Sequence, residues 1–171
     1  YGLTLTEGSY DDNYEQEHNG FSNTNGAVEG YGTVLTNNQK MSGQLFDRSD
    51  TDGYYIYISE PGSLNVTFDP SVDSSYTDYY RVTIQDPDFN TLSSFDTGED
   101  GQLTAAVEAP GGYWVQVQAT DYYHTDNVYG LTASVSSQTG TVETENNDTF
   151  ATADDLSVGT QIQGQLSSSS D

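Results

Sequence analysis

Five stretches of this chain alternate apolar and polar residues with a period of two. Leu64, Val66 and Phe68 alternate with Asn65 and Thr67, and Tyr80, Val82 and Ile84 with Arg81 and Thr83. Leu103, Ala105 and Val107 follow the same rule, as do Tyr113, Val115 and Val117, and then Tyr129, Leu131, Ala133 and Val135. Successive side chains of a strand point to opposite faces, so such a pattern buries one face and wets the other. Between the stretches lie Glu60-Pro-Gly-Ser63, Asp86-Pro-Asp-Phe-Asn90 and Ala109-Pro-Gly-Gly112, which is turn chemistry. No segment carries a convincing helical period. Strands spaced roughly ten residues apart predict an all-β chain, an antiparallel, jelly-roll-like β-sandwich of two sheets.

The charge is lopsided. Asp and Glu number 27 against 3 Lys and Arg, a formal net charge of −24. With 14 Tyr, 6 Phe and 1 Trp, the chain is nevertheless far richer in aromatics than an acidic disordered tail. A surface this negative repels phosphate backbones and anionic lipid, which argues against nucleic acid and membrane surfaces as partners. The absence of Cys removes disulfides, thiol catalysis and thiolate zinc sites together. No apolar run reaches the roughly 20 residues of a membrane-inserting helix. The chain opens on Tyr1 rather than Met, and reads as a processed or excerpted piece of something longer. Its surplus negative charge must be diluted by water, screened by salt or bound by cations.

The sequence also repeats itself. Tyr1-Gly-Leu-Thr returns as Tyr129-Gly-Leu-Thr, and Glu15-x-Glu17-x-Asn19 returns as Glu143-x-Glu145-x-Asn147, both 128 residues on. Gly43-Gln-Leu45, running to Asp50, returns as Gly164-Gln-Leu166, running to Asp171, 121 residues on. The order is the same, and an insertion between Asn25 and Lys40 of the first copy accounts for the difference in offset. The expected organisation is therefore a tandem-repeat excerpt. Residues 1–14 are the last strand and linker of one repeat, 15–137 a complete sandwich, and 138–171 the linker and first strands of a third.

In their order and spacing these motifs resemble the bacterial pre-peptidase C-terminal domain and the related collagen-binding domains of clostridial collagenases. The residues that carry the resemblance are Glu15-x-Glu17-x-Asn19, Gly43-x-Leu45, Asp52-Gly-Tyr-Tyr-Ile-Tyr-Ile, Pro61-Gly-Ser-Leu-Asn-Val, Val82-Thr-Ile-Gln-Asp, Pro110-Gly-Gly-Tyr-Trp-Val-Gln-Val and Tyr129-Gly-Leu-Thr. The resemblance implies a non-catalytic β-sandwich, extracellular or on the cell surface, found beside secreted peptidases or in tandem. It also implies calcium at the Glu-rich segment.

Calcium takes six to eight oxygen ligands. Glu15, Glu17 and Asn19 sit at alternate positions, so in an extended segment they project from one side. Asp47, Asp50 and Asp52 lie in the loop before the Tyr54 strand. If the Glu segment packs against that loop, two half-shells of hard oxygens face each other. The resemblance implies that arrangement, with Glu15, Glu17, Asn19 and Asp52 the nearest matches, and it leaves Asp47 and Asp50 as alternatives for a further carboxylate. Gly20 stands where family members often carry an acid. The second copy offers Glu143, Glu145, Asn147 and Asp148, and later Asp171. The competing reading is a set of solvated surface acids. Asp86-x-Asp88-x-Asn90 imitates the start of an EF-hand loop but lacks its Gly and distal Glu.

Nothing points to an enzyme. The two histidines, His18 and His124, accompany no Gly-x-Ser-x-Gly elbow and are too few for a zinc site. The outward face says more: if Tyr113, Val115 and Val117 point in, Trp114, Gln116 and Gln118 point out, as do Tyr55, Tyr57 and Tyr79. Exposed aromatic rows bind protein or sugar, or cover themselves with a neighbouring repeat or with the long 20–40 segment. Asn65-Val-Thr67 is a glycosylation sequon on an outward position, and Asn147-Asp-Thr149 is a second that overlaps the proposed calcium set. The expected role is a calcium-stabilised structural or adhesive repeat of a surface fibre, filament or adhesin array, with neighbouring copies as partners. The alternative is an accessory module of a secreted peptidase or other hydrolase that binds collagen-like protein or polysaccharide.

Overall fold

The alternating stretches become strands, and the residues the pattern marks as inward are buried, save Val135, which is partly buried near the end of its strand. The computed structural model describes residues 13–15, 22–24, 27–29, 32–71, 77–120, 128–137, 141–143, 149–151 and 153–164. The strands are β1 (Ser22–Thr24), β2 (Ala27–Glu29), β3 (Thr33–Val34), β4 (Lys40–Gly43), β5 (Thr51–Ile58), β6 (Gly62–Pro70) and β7 (Tyr80–Gln85). They continue as β8 (Thr91–Thr97), β9 (Gly101–Val107), β10 (Gly111–Ala119), β11 (Tyr129–Ser137), β12 (Thr141–Val142) and β13 (Ile162–Gln163). No helix occurs among the described residues.

Two sheets carry the fold, one ordered β3-β5-β10-β7-β8 and the other β4-β11-β6-β9. Their pairings are antiparallel except that of β3 beside β5. From β5 the chain passes back and forth between the sheets, with only the β7–β8 hairpin staying in one. The result is an antiparallel β-sandwich. Leu64, Val66 and Phe68 of one sheet and Val82, Ile84, Val115 and Val117 of the other are all 0 % exposed. Each such side chain contributes about 1.5–3 kcal/mol by leaving water. At one end the core turns aromatic, where the Phe68 ring lies 5.1 Å from that of Tyr80 and 5.3 Å from that of Tyr129.

That end is where the acidic residues converge. Asn13, Tyr14 and Glu15 run parallel to β4: Ser42 N donates to Asn13 O at 2.7 Å and Glu15 N donates to Ser42 O at 2.9 Å. Asn13 and Tyr14 thus pair with the same strand as Glu15.

Candidate functional site

Asp52 shares its strand parity with Tyr54, Ile56 and Ile58, so the alternation that buries those apolar residues carries a carboxylate inward too. Asp52 is 0 % exposed, and Glu15, delivered by the segment along β4, is 3 % exposed. Between them stand two buried phenols. Tyr54 OH donates to Glu15 Oε2 at 2.6 Å and lies 2.7 Å from Tyr129 OH, which donates to Asp52 Oδ2. Gln44 N donates to Glu15 Oε1. The remaining oxygen, Asp52 Oδ1, is buried with no hydrogen-bond partner among the described residues.

The electrostatics follow from that geometry. Burial, reinforced by the nearby Glu15 charge, pushes the Asp52 carboxyl up to about 9. Burial likewise holds Tyr54 and Tyr129 well above the ordinary phenol range, with the neighbouring acids adding to it. All three basic side chains of the protein are exposed: Lys40 pairs with Asp69, Arg81 with Asp96, and Arg48 lies in the 46–50 loop. Among the described residues, then, two buried carboxylates and an orphaned oxygen face one another with no buried cationic side chain, hard oxygen donors of the type a divalent cation takes.

The acidic loop divides into two roles. Asp47 is exposed and accepts from Ser49 N at 2.7 Å and Ser49 Oγ at 2.6 Å, which holds its carboxyl below the usual range. It is a turn cap. Asp50 accepts from Phe46 N and Thr51 N, and its charge also reaches Asp52. The structure therefore brings Glu15 and Asp52 together, lets the charge of Asp50 reach Asp52, and leaves Asp47 to its own turn; no group of three or more metal-ligating side chains comes together among the described residues. Glu17, Asn19, Glu145, Asn147, Asp148 and Asp171 lie outside the described residues, as do His18 and His124. Asp86 spends its carboxylate locally, accepting from Asp88 N and Asn90 N at 2.8 Å and from Asn90 Nδ2 at 2.8 Å. Tyr54 and Tyr129 were legible only as inward aromatics; the signal that they belong to the site is that a buried phenol demands a buried acceptor.

The Glu15 arrangement occurs a second time. Glu143 N donates to Gln163 O at 3.0 Å, and Val142 pairs in parallel with Gln163. The matching contacts of the first copy are Glu15 N to Ser42 O and the parallel bridge of Tyr14 with Ser42. A glycine follows the paired residue in each case, Gly43 after Ser42 and Gly164 after Gln163. A Cβ on Gly43 would lie 2.3 Å from Tyr54 OH, and one on Gly164 would lie 2.6 Å from the Glu143 carboxylate.

On the outer face of the five-stranded sheet the registers align three rows. Tyr55, Trp114 and Gln85 stand side by side across β5, β10 and β7. The next row holds Gln116, Thr83 and Ser94, and the third Gln118, Arg81 and Asp96. Trp114 is half-buried, with Tyr55 edge-on at 5.1 Å, Phe89 stacked at 5.4 Å and Gly32 close beneath. The long 20–40 segment thus covers part of the aromatic row. Tyr57 is 63 % exposed. Tyr79, expected to point outward, packs against the core instead, because it precedes β7 and escapes the alternation of that strand. Asn65 is half-exposed and accepts from Thr104 Oγ1 at 2.7 Å across β6 and β9.

No family model matches the chain, and no curated protein matches it. Among solved structures it is similar to the pre-peptidase C-terminal domain of a Bacillus anthracis collagenase. The two are 16% identical over 60% of this chain and 93% of that one, with a TM-score of 0.47. It is also similar to PliG, a periplasmic inhibitor of g-type lysozyme from Aeromonas hydrophila, at 20% identity over 61% of this chain and 96% of that one, with a TM-score of 0.44. The first of these is a domain of the kind that the sequence motifs resemble.

Proposed function

We propose that residues 15–137 form one non-catalytic, calcium-stabilised β-sandwich unit of an extracellular array. In this reading residues 1–14 end a preceding unit and 138–171 open a following one. The observation that carries it is the parallel pairing made twice, by Glu15 on Ser42 and by Glu143 on Gln163, with a crowded glycine after each. A chance sequence repeat has no reason to reproduce the same backbone hydrogen bond.

Calcium belongs at the Glu15 cluster on the chemistry of its donors. Glu15 and Asp52 supply two carboxylates, with Asp50 adjacent and Glu17 and Asn19 the further ligands. Bound there, the cation would take up Asp52 Oδ1 and cancel the repulsion that otherwise keeps Asp52 protonated. The corresponding acids of the second copy, Glu143, Glu145, Asn147, Asp148 and Asp171, would do the same at the next junction. There the charges of Glu143 and Asp86, after burial, raise the carboxyl of Glu108. A clamp at each start stiffens the linker and lowers the repulsion between acidic units. Burial of Glu15 and Asp52, and the absence of an exposed carboxylate pair at the cluster among the described residues, favour a structural over a catalytic use.

Thermal melts test the calcium. In excess chelator the melting temperature should fall by several degrees, since a site half-filled well below working calcium contributes several kcal/mol by linkage. Glu17→Ala should abolish most of that difference. An unchanged melt in chelator overturns the reading. Imaging of the native assembly tests the array: units recurring end to end support it, and a solitary globule does not. The second reading, an accessory module of a secreted hydrolase, is favoured by the Tyr55–Trp114 row and the exposed Tyr57 of the outer face, and a peptidase domain encoded beside this one would select it.

A further inference from the structure

The sequon Asn65-Val66-Thr67 takes no part in the acidic cluster, and the fold gives it a definite setting. Asn65 and Thr67 share the outward parity of β6, so both project from the outer face of the four-stranded sheet while Val66 between them is buried. The registers surround the sequon with short neutral side chains. Asn65 lies between Ser134 of β11 and Thr104 of β9, and Thr67 between Thr132 and Gln102. Among the strand residues of this outer face the charged ones are Lys40 and Asp69, which pair with each other at one corner. On a protein of net charge −24 so neutral a face is an exception. The amide of Asn65 is also oriented: Oδ1 accepts from Thr104 Oγ1 at 2.7 Å, while Nδ2 makes no hydrogen bond among the described residues.

We infer that Asn65 is an N-glycosylation site, the acceptor of a sugar chain delivered from a lipid phosphate. In that transfer Asn65 Nδ2 attacks the anomeric carbon of the sugar. The new N–C bond replaces the C–O bond to the phosphate; the lipid phosphate leaves with that electron pair, and the proton displaced from Nδ2 passes to a base of the transferase. Nothing is oxidised or reduced. Thr67 supplies the hydroxyl that the acceptor motif requires at its third position. Because the link forms at Nδ2, Oδ1 keeps its hydrogen bond from Thr104, and that bond aims the attached sugar outward. β6 is flanked by β11 and β9, so transfer precedes closure of the sheet, and the finished fold has only to accommodate the sugar. An outward, uncharged face does so. A docked protein suits this face poorly: four strands at about 4.8 Å each and about 3.4 Å per residue offer on the order of 400 Å², roughly half of one partner's share of a standard interface. A covalently held sugar needs no such area, and it hydrates the face that the acids leave bare. The inference rests on the extracellular location proposed above, and not on the calcium site or the array.

The test is mass spectrometry of the protein isolated from its native cells, with surface and intracellular fractions kept apart. Trypsin cuts after Arg48 and Arg81, so one peptide, 49–81, holds the sequon, with Asn65 its only asparagine. In the surface fraction that peptide should carry added sugar mass, placed on Asn65 by electron-transfer fragmentation. Expressed in the same cells, Asn65→Gln and Thr67→Val should lose the mass, and Thr67→Ser, which keeps the hydroxyl, should retain it. If either of the first two variants fails to fold, the spectrum of the unaltered protein decides. An unmodified peptide throughout the surface fraction overturns the inference and leaves the extracellular reading standing. Sugar on a Ser or Thr of the peptide in place of Asn65, or mass that survives Asn65→Gln, also overturns it. Protein confined to the intracellular fraction, with Asn65 bare, sinks the location and this inference together.

Discussion

Asp52 is the residue on which the chemistry of the acidic end turns. In the metal-free protein its carboxyl titrates near 9, far above the value of about 4 it has in an unfolded chain. A folded state that binds the proton more tightly is favoured most below the unfolded pKa, and that advantage is lost as pH rises toward 9. In chelator the protein should therefore become more stable as pH is lowered from 8 to 5, by up to about 1.4 kcal/mol per pH unit from this group. Asp52→Asn, which carries no titrating proton, should lack that slope. Calcium reverses the order, because a ligating carboxylate must be deprotonated, and acidification should then weaken the metal-bound protein. Parallel pH slopes for the two proteins in chelator would show that Asp52 does not titrate in this way.

Among the elements, the β7–β8 hairpin is the most tightly written. Asp86 accepts three hydrogen bonds from Asp88 and Asn90, and Phe89 N donates to Asp86 O at 3.0 Å. Phe89 is held at φ 65, a left-handed conformation that a bulky residue adopts only under constraint, and it repays this by stacking on Trp114. Asp86→Ala removes the constraint and should cost about 1–3 kcal/mol in denaturant unfolding. A loss below a few tenths would mean the turn holds itself. The strands themselves were legible because period-two burial is a local signal: every inward residue from Leu64 to Val117 named by the alternation is buried. What escaped was non-local. Tyr54 and Tyr129 look like ordinary core aromatics until Glu15, 39 and 114 residues away, is brought beside them. The register shift that sets Gln85 opposite Thr91 is announced by no periodicity, and Tyr79 lies one residue before its strand begins. Asp47 and Asp50, equivalent as sequence, separate by their local partners: Ser49 claims the first, and Phe46 N and Thr51 N the second.

For the molecule as a whole the governing quantity is −24. With so few basic groups the acids repel one another, and the compact state is penalised until ions intervene. The melting temperature in chelator should rise with sodium chloride from 0.01 to 1 M, as the screening length falls from about 30 to about 3 Å. Millimolar calcium should achieve the same in low salt, and magnesium, which demands a rigid octahedron and keeps its water, should achieve less. A melt indifferent to salt would mean that the charges are already far enough apart.

The separation of Glu15 from Tyr129 also sets a timetable. A chain that emerges from its amino end exposes Glu15 first and the second phenol 114 residues later. Glu15 can meet Tyr54 after 39 residues, but the full acid lock needs Tyr129 as well, so it cannot be complete until the unit has been made through to β11.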